Sequence, residues 1–127
     1  SLAKELNKRA GNHGIIIDTL VQVNVAEEES KFGLKVDEVI PFIESIQDYE
    51  NIRIKGLMTI APYVDNAEEI RWVFRELQQL SENIKNKGYA NVKMDFLSMG
   101  MTNDYEVAIE EGSNMVRIGT GIFGQRK

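Results

Sequence analysis

The sequence predicts an α/β fold in which short helices alternate with parallel strands. Three observations lead to this prediction. Apolar residues recur at helical spacing in some segments, valine- and isoleucine-rich runs separate those segments, and glycine, proline or helix-capping residues stand at the boundaries. The resulting order is one helix, three strand–helix pairs and a last strand. Because strands separated by helices pair in parallel through right-handed crossovers, we expect a parallel sheet of four strands.

The first helix is short, and Gly11 is its predicted C-cap. The first strand is predicted over residues 19–25, where the valines share one face and Gln22 and Asn24 share the other. The glutamate-rich segment 26–33 that follows is predicted to be a solvent-exposed loop.

The second helix is predicted to begin between Asp37 and Pro41, because proline is tolerated mainly in the first turn of a helix. The second strand is expected over residues 51–60. Gly56 interrupts this strand, and Pro62 ends it.

The third helix has the clearest apolar face of the chain. An Asn-x-x-Glu capping box at residues 66–69 starts it, and Gly88 ends it. The third strand is predicted over residues 92–97. Asn103 is the predicted cap of a short fourth helix, and residues 115–118 form the predicted fourth strand.

Four parallel strands form either a small open sheet or half of a (β/α)8 barrel. The faces of the strands favour the half-barrel, because the first strand sets its valines against Gln22 and Asn24. A single layer of helices opposite a face that tolerates polar residues suits a barrel. A doubly wound sheet requires two apolar faces. No linker or repeat divides the chain, so residues 1–127 are expected to form one unit.

Composition restricts the classes of partner and site. The net charge of −5 argues against nucleic acid or an anionic membrane as the main partner. No apolar run is long enough for a membrane helix, and the polar N-terminus is unlike a signal peptide. The chain has no cysteine, which suits a reducing compartment, so we expect a cytoplasmic protein. With one histidine and no cysteine, a metal site is not expected, and no catalytic residue is recognised.

A candidate phosphate site follows the third strand. The Ser98 hydroxyl and the N–H groups of Met99, Gly100 and Met101 could bind phosphate oxygens. The alternative is a plain strand–helix turn in which glycine serves only the backbone geometry.

A second glycine-containing turn, at Gly119 and Thr120, follows the fourth strand. Carboxyl ends of neighbouring parallel strands share one edge of a sheet, so the two turns should lie side by side. We call them together the phosphate cup. Arg117 precedes the second turn and either pairs with a carboxylate, such as Asp95 or Glu106, or faces a ligand. Facing an aromatic ring nitrogen, it would keep that nitrogen unprotonated.

Taken together, these motifs resemble the YggS family of pyridoxal 5′-phosphate (PLP) homeostasis proteins. That family's fold is similar to the barrel domain of alanine racemase. The matching segments run through nearly the whole chain: 20–24, 31–33, 56–58, 96–101, 104–106, 108–109, 116–120 and 122–124.

The resemblance implies a role for each candidate residue. Ser98, Gly100, Met101, Gly119 and Thr120 would surround the phosphate of PLP. Arg117 would face the pyridine nitrogen, and Met58 would border the ring. Family members are thought to bind and deliver PLP without robust enzymatic activity, so the resemblance implies a carrier.

The same resemblance implies that this chain corresponds to strands five to eight of the barrel. Family members are longer at the N-terminus, and the missing part holds the lysine that forms the Schiff base. Phosphate or sulfate binding without an imine is therefore one expectation for this chain. The alternatives are part of an alanine-racemase-like enzyme and a half-barrel that binds no cofactor. Because half a barrel leaves two strand edges and an inner face uncovered, we also expect self-association.

Overall fold

The computed structural model describes residues 1–28 and 32–118, and it confirms the predicted order of helices and strands. A short 3₁₀ helix, Ala67–Ile70, precedes the third helix. The other elements are α1 (Leu2–Asn12), β1 (Ile17–Gln22), α2 (Val36–Ser45), β2 (Ile52–Met58), α3 (Arg71–Lys87), β3 (Val92–Met101), α4 (Tyr105–Glu110) and β4 (Met115–Arg117).

The four strands form one parallel sheet in the order β1-β2-β3-β4. Side chains on the helix-facing side of the strands are buried, as the alternation of the first strand predicts. Val21, Val23 and Val25 are buried, whereas Gln22 and Asn24 are only half-buried. The core therefore lies between the sheet and a single layer of helices.

The largest fully buried side chains come from the helices and from the helix-facing positions of the strands. They are Phe74, Ile43, Ile54, Leu57, Leu77, Ile84, Met99, Val23, Val39 and Val73. Packing of this apolar face is what holds the short helices on the sheet, since isolated helices of such lengths are marginal in water.

The predicted boundaries of the first two helices are wrong, and Asn66 caps the short 3₁₀ helix while α3 begins at Arg71. α1 continues through Gly11 to Asn12, and His13 is its C-cap. A Cβ at Gly11 would lie 2.9 Å from Asn51 Oδ1, so this glycine serves the contact with the start of β2. α2 begins at Val36, one residue before the predicted range, and Pro41 lies inside the helix on its exposed side.

The predicted end of the third strand is also wrong. β3 continues through Gly100 to Met101, so residues 98–101 belong to a strand and not to a turn. The extension exists because the end of β3 pairs with β4, with Ser98 opposite Met115 and Met101 opposite Arg117. Between these two pairs, β3 has one residue more than β4, and this bulge includes Gly100, where φ is +107°.

Gly56 lies where β2 and β3 approach each other too closely for a side chain. A Cβ at this position would lie only 1.9 Å from the carbonyl oxygen of Phe96 on β3. The register between β2 and β3 shifts between Ile54 and Gly56, so this is the point where the longer β3 is brought against β2. The predicted interruption at Gly56 is thus a crowded bulge within a continuous strand.

Candidate functional site

The strand register places the candidate residues on one face of the sheet. Paired residues on parallel strands share a face, and Gln22, Met58, Ser98 and Met115 form one row across the four strands. Arg117 is two residues beyond Met115 and so lies on the same face. The face is opposite the one that packs against the helices, and the row lies near the carboxyl ends of the strands.

Ser98 carries the only hydroxyl among the four residues of this row. The residue is 2% exposed, yet its hydroxyl is not among the buried side-chain atoms that lack a partner. None of the described residues forms a hydrogen bond with it. Ser98 lies opposite Met58 of β2, on the inner face of the sheet.

Met99 differs from its neighbours because its side chain packs into the core on the helix side, where it is 2% exposed. Its contribution to the site is thus limited to its backbone. At Gly100, a Cβ would lie 2.8 Å from Ala108 Cβ and 3.2 Å from both Tyr105 Cα and Val116 Cγ1. Glycine at this position brings the end of β3 close to α4 and β4.

The amide of Met101 is already engaged. It donates to Asp104 Oδ1 at 2.6 Å, and the Met101 carbonyl accepts from the Asp104 N–H at 3.1 Å. Asp104 is 6% exposed, and burial raises the pKa of its carboxyl, while the Met101 N–H opposes that rise. Asp104, and not the predicted Asn103, is the N-cap of α4, and it closes the turn that follows β3.

Arg117 forms no ion pair with the carboxylates considered for it, in the part of the chain that the structure describes. Asp95 pairs instead with Lys55 at 2.5 Å, and the hydrogen bond from Lys55 lowers the pKa of the Asp95 carboxyl. Arg117 is an exposed residue on a short outer strand.

Two parts of the predicted site, Gly119 and Thr120, lie outside the described residues, as does Lys31. Among the residues described, no group of three or more histidine, aspartate or glutamate side chains is arranged to hold a metal ion. A helix long and apolar enough to cross a membrane is likewise not found in residues 1–28 and 32–118.

The structure also shows polar side chains near the site that sequence reasoning missed. Ser113 and Asn114 precede β4 and form hydrogen bonds to the backbone of β3. Their only sequence signal is a pair of polar residues before a strand, which is common in loops. Asp104 belongs to the matching segment 104–106, but the sequence does not predict that its carboxylate accepts a hydrogen bond from the Met101 amide.

Comparisons with known proteins agree with this geometry. The sequence model of the family "Alanine racemase, N-terminal domain" matches residues 1–127. The pyridoxal phosphate homeostasis protein of Aquifex aeolicus is 44% identical over 127 residues, which is all of this chain and 55% of that relative. This chain spans about half the length of the curated relatives it matches.

Solved structures place the chain within a barrel fold. PipY of Synechococcus elongatus with PLP bound is 26% identical with a TM-score of 0.81, over 97% of this chain and 56% of PipY. An alanine racemase of Clostridium difficile is 18% identical with a TM-score of 0.76, over 98% of this chain and 34% of the racemase, and shows the fold alone. The prediction of a half-barrel of the alanine racemase type is confirmed.

Proposed function

Because the chain belongs to the alanine racemase N-terminal domain family, we propose that it is the phosphate-binding half of a PLP site that serves PLP homeostasis. The observation that carries this proposal is the common face of Met58, Ser98 and Arg117 at the carboxyl ends of neighbouring strands. Barrels bind phosphate at that end of the sheet. A structural relative with the same fold and 26% identity has PLP bound.

We propose for the residues the roles that the family resemblance implies. Ser98 donates its hydroxyl to the phosphate, and the backbone at Met99 and Gly100, with Gly119 and Thr120, lines the rest of the phosphate cup. Met101 shapes the cup through its bond to Asp104. Arg117 faces the pyridine nitrogen, and Met58 borders the ring.

We propose a carrier and not an enzyme. PLP supplies an electron sink for carbanion chemistry when an enzyme attaches it to a lysine. The row of residues that faces the proposed ligand holds Gln22, Met58, Ser98 and Met115, and none of these is a lysine. An arginine at the ring nitrogen keeps that nitrogen unprotonated and makes the ring a poorer electron sink.

Titration with inorganic phosphate and with PLP tests this function. We expect both to bind, without an attachment to lysine that borohydride makes permanent. Ser98→Ala removes a charge-assisted hydrogen bond worth about 1–3 kcal/mol, so the dissociation constant for phosphate should rise by roughly 5- to 150-fold. Ser45→Ala is the matched control, because Ser45 bonds only to Phe42 on the exposed side of α2. An unchanged phosphate affinity in Ser98→Ala would refute the assignment of the cup.

We also propose that the chain self-associates through its outer strands. β1 and β4 are at the two edges of the described sheet. Large apolar side chains are exposed beside both edges: Leu2, Ile15 and Ile16 near β1, and Ile109 and Met115 near β4. Parallel pairing of β4 with β1 of a second copy would cover both groups and remove both edges.

A further inference from the structure

The pairing between β3 and β4 is the shortest in the described sheet. β4 has only three residues, and its register with β3 is defined at Ser98 opposite Met115 and at Met101 opposite Arg117. No residue of β4 lies opposite residues 95–97 of β3, because β4 begins beside Ser98. A strand this short is held in register by few backbone bonds, and a slip of one residue would turn Arg117 to the other face.

The side chain of Asn114 bonds to the edge of β3 just before β4 begins. Its Oδ1 accepts from the Leu97 N–H at 2.8 Å, and its Nδ2 donates to the Asp95 carbonyl at 2.7 Å. The Asn114 backbone N–H also donates to the Leu97 carbonyl at 3.2 Å. Asn114 thus forms three hydrogen bonds with the edge of β3 at Asp95 and Leu97, where β4 has no residue opposite.

Ser113 continues this bonding on the other side of Leu97. Its Oγ lies 2.7 Å from the Met99 carbonyl oxygen and 3.1 Å from the Met115 carbonyl oxygen, and donates its one proton within this group of acceptors. We call Ser113 and Asn114 the β3–β4 clasp. The clasp contacts β3 on both sides of Ser98 and ends where β4 begins.

We infer that Asn114 is a positioning residue for Ser98 and Arg117, the described polar residues of the candidate site. By fixing the register of β4 on β3, it keeps Arg117 on the face that Ser98 occupies and holds in place the carboxyl end of β3, where Ser98 lies. This inference rests on the proposed function, since it assigns the clasp a role toward the same phosphate. Asn114 itself touches only the backbone of β3 in the described part of the chain.

The test compares Asn114→Ala with Asn91→Ala. Asn91 is a matched control: it accepts from Gln47 Nε2 at 2.7 Å and donates to the Ile46 carbonyl at 3.0 Å, at the opposite end of β3. We expect both variants to lose stability, but only Asn114→Ala to weaken inorganic phosphate binding, by at least about tenfold. Equal phosphate affinities in the two variants would overturn the inference.

A second readout does not depend on phosphate. In wild-type protein, NMR should show cross-strand contacts between Ser98 and Met115 and slow exchange of the Leu97 amide. Asn114→Ala should lose both signals, and Asn91→Ala should keep them. If Asn114→Ala does not fold, Asn114→Asp retains the acceptor for the Leu97 amide, and we expect it to lose only the bond to Asp95.

The two readouts separate the inference from the proposed function. If wild-type protein shows no phosphate binding, the proposed function fails, and the NMR signals still decide whether the clasp sets the register. Retention of the Ser98–Met115 contacts in Asn114→Ala would overturn the clasp, whatever the phosphate affinity.

Discussion

Glycine at position 100 is required by two independent constraints. Its φ of +107° is costly for any residue with a side chain, and a Cβ there would lie 2.8 Å from the Cβ of Ala108. Gly14 shares only the first constraint, since its φ is +67° and no heavy atom lies within 4 Å of the Cβ position.

We therefore expect Gly100→Ala to destabilise the protein more than Gly14→Ala does. Positive φ should cost each variant about 1–2 kcal/mol, and crowding should add about 1–3 kcal/mol in Gly100→Ala alone. Urea unfolding of the two variants measures the difference. Equal losses in the two variants would show that α4 moves away at little cost.

At the scale of residues, the sequence predicts which face a side chain occupies where polar and apolar residues alternate. It does not predict contacts that depend on hydrogen bonds to the backbone of a distant segment. The face shared by Gln22 and Asn24, opposite the buried valines, follows from period-two alternation. The bond from Met101 to Asp104 depends instead on the path of the chain after β3. The bonds of Asn114 to β3 form because β4 is short. The sequence predicts a short fourth strand, but it does not predict that a side chain bonds to β3 beside it.

At the scale of elements, an ion-pair network joins α3 to the end of α4. Arg71 bonds to Glu68 and Glu111, both at 2.7 Å, and to Glu110 at 2.5 Å. Glu111 also accepts from Arg75 at 3.0 Å, and its side chain is 13% exposed. α4 has only six residues. This ion-pair network and the buried Val107 and Ala108 of α4 therefore hold the helix on the sheet.

Glu111 should make stability depend on pH. Hydrogen bonds from Arg75 and then Arg71 hold the pKa of the Glu111 carboxyl below its ordinary range. A carboxyl with a lowered pKa stabilises the folded state above its unfolded pKa, and this contribution is lost as the pH falls through its folded pKa. We expect Glu111→Gln to lower the Tm by several degrees at pH 7, and by much less near pH 3.

Glu5→Gln is the control for this prediction. Glu5 pairs with Arg9 at 2.7 Å, but their side chains are 52% and 75% exposed. Exposed pairs contribute about 0–1 kcal/mol, so the Tm should change little at either pH. A loss in Glu111→Gln that is the same at both pH values would contradict the ionic explanation.

The boundaries of the elements were less predictable than their order. Gly11 and Pro41 are ordinary signals for the end and start of a helix, yet both lie inside helices here. Gly11 lies inside α1 because it packs closely against Asn51. Pro41 is accommodated inside α2, which begins at Val36, because it lies on the exposed side of that helix. Local signals cannot include such tertiary contacts, which often override propensity.

For the whole molecule, the main prediction concerns its oligomeric state. We expect sedimentation velocity to show a dimer, because pairing of the outer strands would bury the exposed apolar residues beside them. Ile16→Asp should dissociate the dimer, since Ile16 is 54% exposed next to β1. Trp72→Asp should not, although Trp72 is 50% exposed, because α3 packs on the central strands β2 and β3. A monomer at all concentrations would contradict the proposal.

The order of the strands in the sheet has a consequence for how the chain acquires its structure. In the described sheet, β2, β3 and β4 each pair with the strand that immediately precedes them in the sequence. Pairing between neighbours in sequence keeps loop-closure costs low and favours fast folding. During synthesis, each new strand–helix unit can dock on the one already formed. Among the described strands, β4 is synthesised after the other three, so its pairing with β3, which sets Arg117 on the same face as Ser98, forms after the pairing of β1 with β2 and of β2 with β3.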